Sequence, residues 1–389
     1  MSRSLPIDRY RNIGILAQLD AGRTTTTERL LAAAAKASGQ EAETNEAWLD
    51  DRQITLTTAA TGCDWRGCRI NIVELPPIDE LGLDELGLAA LDAALVVVDG
   101  TVGVGEKTAA VLSQLQARGL ASLVFVNKLD REEADFSAAV TDVCEAGPAH
   151  AVALQVQQGA GRSLSGLIDV VGLVLRQWPL AGFDAPSVVT EIPADLLAEA
   201  KSARAKVAAA VDVPVGASTE ALKVALRQAT VAGRIVPVLC GSAFRNRGIY
   251  GLLDAIVDYL PAPSDVKTRR LVTNGQAVER RPEDSAPFAG VVFQTVEDPA
   301  AGRLSFVRVY SGIARDGGKL VNASSLAEET IERMVRIHAN HAEDIGEART
   351  GDIVALAGLR HTNSGDTLCD PAAPGILERM PAPAVRAKH

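Results

Sequence analysis

No stretch of this chain is apolar for long enough to cross a membrane. A span needs about 18 or more consecutive apolar residues, and no run approaches that. Residues Met1 to Asp8 carry no apolar core of the kind a signal peptide needs, so a cytoplasmic location is expected. Basic residues are in the minority: 39 Lys and Arg stand against 49 Asp and Glu, giving a net charge of −10. That balance excludes generic DNA or RNA binding, and any RNA contact must be local. Cysteine is scarce, with 5 in the chain (Cys63, Cys68, Cys144, Cys240, Cys369) and no metal-ligand spacing among them. Cys63 and Cys68 flank a hairpin turn at Asp64-Trp65-Arg66-Gly67. All five read as buried, reduced thiols of a cytosolic protein. What is there is ordinary for a soluble globular protein, with 47% hydrophobic residues. A chain of 389 residues is long for one core, so two or three domains are expected.

The most informative stretch runs from Gly14 to Thr25. A short apolar strand, Asn12 to Leu16, leads through Asp20-Ala21-Gly22 into a helix beginning near Thr24. That is the architecture of a phosphate-binding loop. Backbone N–H groups at the helix start, with the positive end of the helix dipole, would hold a phosphate. Where such a loop carries lysine, this one has Arg23.

From Asn12 to Leu260 short β-type runs (Ile13–Ala17, Ile70–Val73, Ala94–Val98, Leu123–Val126, Val236–Leu239) alternate with helical stretches (Thr26–Ala37, Glu106–Ala117, Ile249–Tyr259). Such alternation predicts a parallel sheet covered by helices on both faces. The run from Ile192 to Ala232, two Ala-rich helical segments split by Asp212-Val213-Pro214-Val215-Gly216, interrupts it as an inserted subdomain. Pro261-Ala262-Pro263-Ser264 begins a polar linker with a turn signal at Asn274-Gly275. After Pro287 the pattern becomes strand-rich, with Phe288–Thr295, Arg303–Ser311, Glu329–His338 and Asp352–Ala357 separated by Gly, Asp and Asn turns, and predicts an all-β barrel or sandwich.

Asn127-Lys128-Leu129-Asp130 follows the strand Leu123–Val126. A carboxylate at the fourth position can accept from guanine N1–H and the exocyclic amine. The first-position amide can reach the base edge, and the lysine stem can lie over the ring. A four-residue match could equally be a polar turn after a buried strand; its place, a strand end well after a phosphate loop, favours guanine. Gly241-Ser242-Ala243-Phe244 ends another strand. Alone it is common loop chemistry, but beside the first motif it can offer a backbone N–H to guanine O6.

At these residues the chain resembles elongation factor G of the translational GTPases. Arg11-Asn12-Ile13-Gly14-Ile15, Asp20-Ala21-Gly22 and Thr24-Thr25-Thr26-Thr27-Glu28-Arg29 look like that family's phosphate loop and first helix. Phe125-Val126-Asn127-Lys128, Val238-Leu239-Cys240-Gly241-Ser242-Ala243-Phe244, Asp258-Tyr259-Leu260-Pro261, Arg303-Leu304-Ser305-Phe306, Val309-Tyr310-Ser311-Gly312, His338-Ala339-Asn340, Gly351-Asp352-Ile353 and Gly365-Asp366-Thr367-Leu368-Cys369-Asp370 are similar too. The resemblance implies an α/β P-loop GTPase domain over residues 8–264, with an inserted subdomain over roughly 150–232. A linker (265–286), an all-β barrel domain (287–380) and a tail (381–389) would follow. It implies GTP or GDP at Asp20, Ala21, Gly22, Arg23, Thr24 and Thr25 on the phosphate side, and at Asn127, Lys128, Asp130, Ser242 and Ala243 on the guanine side. Mg²⁺, where it binds, would meet Thr24 and Thr55. A ribosome or a translation-related protein is the partner implied.

The departures from the family fall on chemistry. After the strand Ile70–Val73 the family has aspartate-threonine-proline-glycine-histidine; here stand Glu74-Leu75-Pro76-Pro77-Ile78. Glu74 is one methylene too long to support the same Mg²⁺ shell. Pro77 has no N–H to give the γ-phosphate, and Ile78 cannot position a water. Leu75 and Ile78 read as residues packed on the sheet. Arg23 is planar and wide where a compact ammonium is usual. Gln53 replaces a glycine of the first switch and the segment before it is shortened; Thr55 matches the residue that senses Mg²⁺ and γ-phosphate, yet Thr-x-Thr-Thr is equally good strand sequence. The family continues through three further domains, so translocase activity is not expected to carry over. Phosphoryl transfer depends on positioning and electrostatics, so the expectation is a guanine-nucleotide-binding pseudo-GTPase with little or no hydrolysis. Two alternatives stay open: an active GTPase in which Glu74 or Gln18 takes over, and a nucleotide-free module acting through its barrel.

Overall fold

A strand buried along its whole length, β1 (Tyr10–Ala17), opens the fold. The structure, a computed structural model, describes residues 5–39, 60–78, 84–147, 149–179, 187–273, 275–298, 302–338 and 341–378. Thr55, Gln53 and the 381–389 tail lie outside the described residues. A hairpin follows, β2 (Ala60–Trp65) and β3 (Cys68–Glu74), turning through Arg66 and Gly67 at φ 48° and 69°. Two positive φ values make this the tight turn that matches strand twist. Then come β4 (Ala93–Asp99), β5 (Ala121–Asn127), β6 (His150–Ala153), β7 (Gln155–Gln158), β8 (Gly166–Asp169), β9 (Val174–Gln177), β10 (Val188–Thr190) and β11 (Ile235–Cys240).

The main sheet has the order β2-β3-β1-β4-β5-β11-β6. Every pairing is parallel except that of β2 with β3. β4 and β5 sit near its middle and are buried at every residue. Their near-continuous Val, Leu and Ala runs suit strands covered on both faces. One cover is α1 (Arg23–Ala37), whose Leu30 and Leu31 share an apolar cluster with residues of two helices near the chain's middle. The other cover is α2 (Glu85–Ala89), α3 (Glu106–Ala117) and α4 (Phe136–Ala146), packed through Leu88, Leu112, Leu115 and Phe136. The two middle helices are the inserted α5 (Ala194–Ala210) and α6 (Thr219–Val231); α7 (Ile249–Tyr259) closes the unit.

Two features differ from the sequence reading. β10-β9-β8-β7 form a separate four-stranded antiparallel sheet ahead of α5. Each strand has only three or four residues, too few for a period of two to declare itself. The polar stretch after Ser264 holds an antiparallel hairpin, β12 (Arg269–Thr273) with β13 (Gln276–Arg280), and β12 also pairs with Ile376–Leu377. Its charged, mostly exposed residues hide the alternation. Beyond it β14 (Ala289–Asp298) and β15 (Gly302–Ser311) form the long centre of an eight-stranded antiparallel sheet. The thiol reading needs one correction: Cys144 is exposed, because its side of α4 faces outward, while the other four free cysteines are buried. Burial pushes the Cys63 thiol up to about 12.

The β-rich unit is joined to the first by a buried polar network. Arg308 on β15 meets both oxygens of Asp92, which immediately precedes β4, at 3.2 and 2.9 Å. Asn12 Nδ2 donates to Asp92 at 2.7 Å, and Asn71 Nδ2 donates to Asn12 Oδ1 at 2.7 Å. Tyr310 donates its hydroxyl to the Ala89 carbonyl.

Candidate nucleotide site

Five loops gather at the carboxyl ends of β1, β3, β4, β5 and β11, where open parallel sheets bind ligands. The first spans Gln18 to Gly22. Gly22 caps α1 in the left-handed region at φ 95°, with no side-chain cap. α1 also has no acid in its first turn, as is true of α4 and α7. Its N–H groups and dipole are therefore left uncompensated, as an anion site requires. Asp20 stands exposed at φ 61°, Ala21 is buried, Thr24 is exposed and Thr25 half-buried. A Cβ on Gly22 would lie 2.4 Å from Asn127 Nδ2. Glycine is thus required here twice, for its φ and for this close approach.

That approach explains Asn127. Its Nδ2 donates to the Ala21 carbonyl at 2.9 Å, and its Oδ1 accepts from the Ala243 N–H at 2.8 Å. Both ends of the Asn127 amide are thus engaged in a brace between two loops. The loops are tied again by Gly241 N–H to Val126 O at 2.9 Å and Leu129 N–H to Gly241 O at 3.0 Å. Ser242 is fully buried; its hydroxyl accepts from the Arg245 N–H, and its backbone bridges Arg247.

Lys128 sits at φ 64° and donates to Asp99 Oδ2 at 2.6 Å. Asp99 also accepts from the Thr101 N–H and hydroxyl. Burial raises the Asp99 carboxyl, but the hydrogen bonds from Lys128 and Thr101 outweigh it and hold it below its ordinary value. Asp130 is mostly buried, with Arg245 Nε 3.8 Å from its Oδ2. Asp99, Thr101 and Arg245 were missed by the sequence reading. Asp99 could have been found, since it pairs in register with Asn127 and likewise ends a buried strand.

The phosphate side differs. Arg23 Nη1 donates to the Leu75 carbonyl, and its Nε lies 3.9 Å from Glu74 Oε2. The guanidinium thus leans from the start of α1 to the end of β3. Burial, and next the charge of Glu74, push the Glu28 carboxyl up. Ile78 is buried in the sheet's apolar cluster with Leu16, Leu75, Leu88 and Leu91, and its N–H is bonded to the Ala17 carbonyl at 2.9 Å. Leu75 and Ile78 are therefore packing residues, as expected. Pro77 is half-buried beside them. Gln18 points to Gly105 at the start of α3, where a Cβ would lie 3.0 Å from its Nε2.

Mg²⁺ wants an octahedron of hard oxygen ligands. Among the described residues no group of three acidic, histidine or cysteine side chains could hold a metal. The carboxylate at the end of β3, Glu74, already faces a guanidinium. Thr24, expected to meet Mg²⁺, stands exposed at the start of α1.

Comparison with known proteins agrees with this geometry. The Elongation factor Tu GTP binding domain matches residues 8–262, and Elongation factor G domain 2 matches residues 287–371. Elongation factor G of Rhodopseudomonas palustris (strain BisB18) is 40% identical over 404 aligned positions, covering 98% of this chain and 58% of its own. A crystal structure of a protein from Thermus thermophilus superposes with a TM-score of 0.74 at 23% identity, over 97% of this chain and 56% of that one. The chain thus spans little more than half the length of these relatives, and the second likeness shows fold alone.

Proposed function

The chain belongs to the elongation factor G-like translational GTPases, and on that premise we propose that it binds GDP or GTP while hydrolysing GTP little or not at all. The observation that carries this reading is the segment after β3. Pro77 has no N–H to donate to a γ-phosphate. Ile78 is apolar, buried, and spends its N–H on Ala17. Arg23 is turned onto Leu75 and Glu74. Hydrolysis relies on groups fixed around the transferred phosphoryl, and three of them are altered together.

The guanine side supports retained binding. Asp130 would accept from the base N1–H and amine, the Lys128 stem would lie on the ring, and Ser242 and Ala243 would shape the edge. Asn127 and Gly22 would hold the phosphate loop against that pocket, with Asp20, Ala21, Thr24 and Thr25 around the phosphates. In the cell the protein would act as a regulatory guanine-nucleotide-binding factor, with a ribosome or a translation-related protein as its partner.

One observation favours a second reading, a nucleotide-free module acting through the β-rich unit: the Ala243 N–H donates to Asn127 rather than standing open. Calorimetry with GDP, GTP and ADP separates the two. The proposal predicts GDP and GTP affinities within about tenfold of each other, no comparable ADP binding, and a shift towards xanthosine diphosphate in Asp130→Asn. Equal binding of ADP and GDP would refute guanine recognition. No binding of any nucleotide would leave the module reading in its place.

A further inference from the structure

We propose that the cavity between the inserted subdomain and α7 binds a small organic amine, whose ammonium pairs with Asp169 and the Tyr259 hydroxyl. The proposal stands apart from the nucleotide reading, because none of the residues assigned to the phosphate or guanine side lines this cavity.

The space measures about 480 Å³, within the usual range for a small-molecule pocket. It is walled by the small sheet (Asp169 on β8, Arg176 on β9), by Lys223 on α6, by α7 and by Arg66 of the β2–β3 turn. Leu154, Leu167, Leu239 and Trp178 give it apolar surface as well.

Three carboxylates line it, and two of them are already served. Asp254 and Asp258 lie one turn apart on α7 and so share a face. Arg66 Nη1 is 3.4 Å from Asp254 and 3.0 Å from Asp258. The Trp65 indole N–H donates to Asp254 at 2.9 Å, and Lys223 Nζ is 2.9 Å from Asp258. Arg176 is 3.6 Å from Asp254. Each cation of the wall therefore has its carboxylate. Asp169 has none: its two oxygens accept only the backbone N–H groups of Val171 at 3.0 Å and Gly172 at 3.2 Å, and it forms no ion pair among the described residues. Burial pushes its carboxyl up despite those bonds. A buried charge calls for a partner, and the group here that lacks one is an anion. The missing partner is a cation.

Tyr259 points the same way independently. It is only 5% exposed, and its hydroxyl has no hydrogen bond among the described residues. Burial first, and then the charges of Asp169, Asp258 and Asp254, push its phenol up, so the hydroxyl is carried toward the same acids. Buried tyrosine hydroxyls usually find a partner. An ammonium has three N–H donors, enough for the Asp169 carboxylate and the phenol oxygen together. The leucines and the indole of Trp178 would cover the apolar body behind it. An occupant so held would tie the small sheet to α7.

The test is calorimetric titration of the full chain with n-pentylamine, with n-pentanol as its neutral counterpart. The amine should bind about tenfold or more tighter than the alcohol. Asp169→Asn keeps an oxygen for the Val171–Gly172 turn and should weaken amine binding by about tenfold. Tyr259→Phe removes the hydroxyl alone and should weaken it by about threefold. Thermal melts of both variants check that they fold; if Asp169→Asn does not, the alcohol comparison and Tyr259→Phe still decide the matter. Equal binding of amine and alcohol overturns the role given to the ammonium. Amine binding that neither variant weakens places the ligand elsewhere and overturns the site. No amine binding by the parent overturns the proposal outright and leaves the nucleotide reading untouched.

Discussion

Asp99 and Lys128 show how single residues order the loops at the ends of β4 and β5. The Lys128 ammonium, held at 2.6 Å, and the two Thr101 donors keep the Asp99 carboxyl below its ordinary value despite burial. A folded-state value below the unfolded one of about 3.9 means stability fully present above that pH and lost as pH falls through the folded value. Thermal melts against pH should therefore show the parent losing stability faster below about pH 4 than Asp99→Asn. Equal acid slopes in the two proteins would count against the pair. Much of this site was legible because its geometry is local: a loop that must turn a strand into an uncapped helix needs Gly22, and the Asn127–Asp130 turn directly follows a buried strand. The rest was not. Asn127 braces Ala21 and Ala243 across 106 and 116 residues, and Arg23 meets Leu75 and Glu74 about fifty residues away. Spacing along a chain carries no trace of such pairings.

At the scale of elements, β15 and β4 are locked by charge rather than by apolar surface alone. The side chains of Arg308 and Asp92 are each only 2% exposed, and the pair is completed by Asn12, Gly351 and Asn71. Burial pushes the Asp92 carboxyl up while Arg308 pulls against it. Removing one partner leaves an uncompensated buried charge, so Arg308→Ala should destabilise the protein by about 3–5 kcal/mol in denaturant unfolding. Replacing both residues together with apolar ones of similar volume should recover much of that loss. A cost below about 1 kcal/mol for Arg308→Ala would show that the network holds nothing. The same contrast decides which elements could be read in advance. β4 and β5 are unbroken apolar runs between polar ends, and their covering helices repeat at helical spacing. β7 to β10 are too short to show a period, and β12–β13 pack so little that their charges read as a linker.

Across the whole molecule the two folded units, the network between them and the loops at the sheet's carboxyl edge form one arrangement, that of an elongation factor G-like translational GTPase. Catalytic groups that act as a unit are not restored one at a time. Arg23→Lys alone should therefore change nucleotide affinity without bringing turnover, and turnover should need at least Pro77→Gly with Ile78→His. The central claim is that the parent does not use GTP catalytically. Its most direct test is multiple-turnover GTP hydrolysis by the unmodified chain in the presence of ribosomes. The account predicts phosphate release no greater than that from ribosomes alone; many turnovers per minute would contradict it and show that Glu74 or Gln18 has taken over the lost roles.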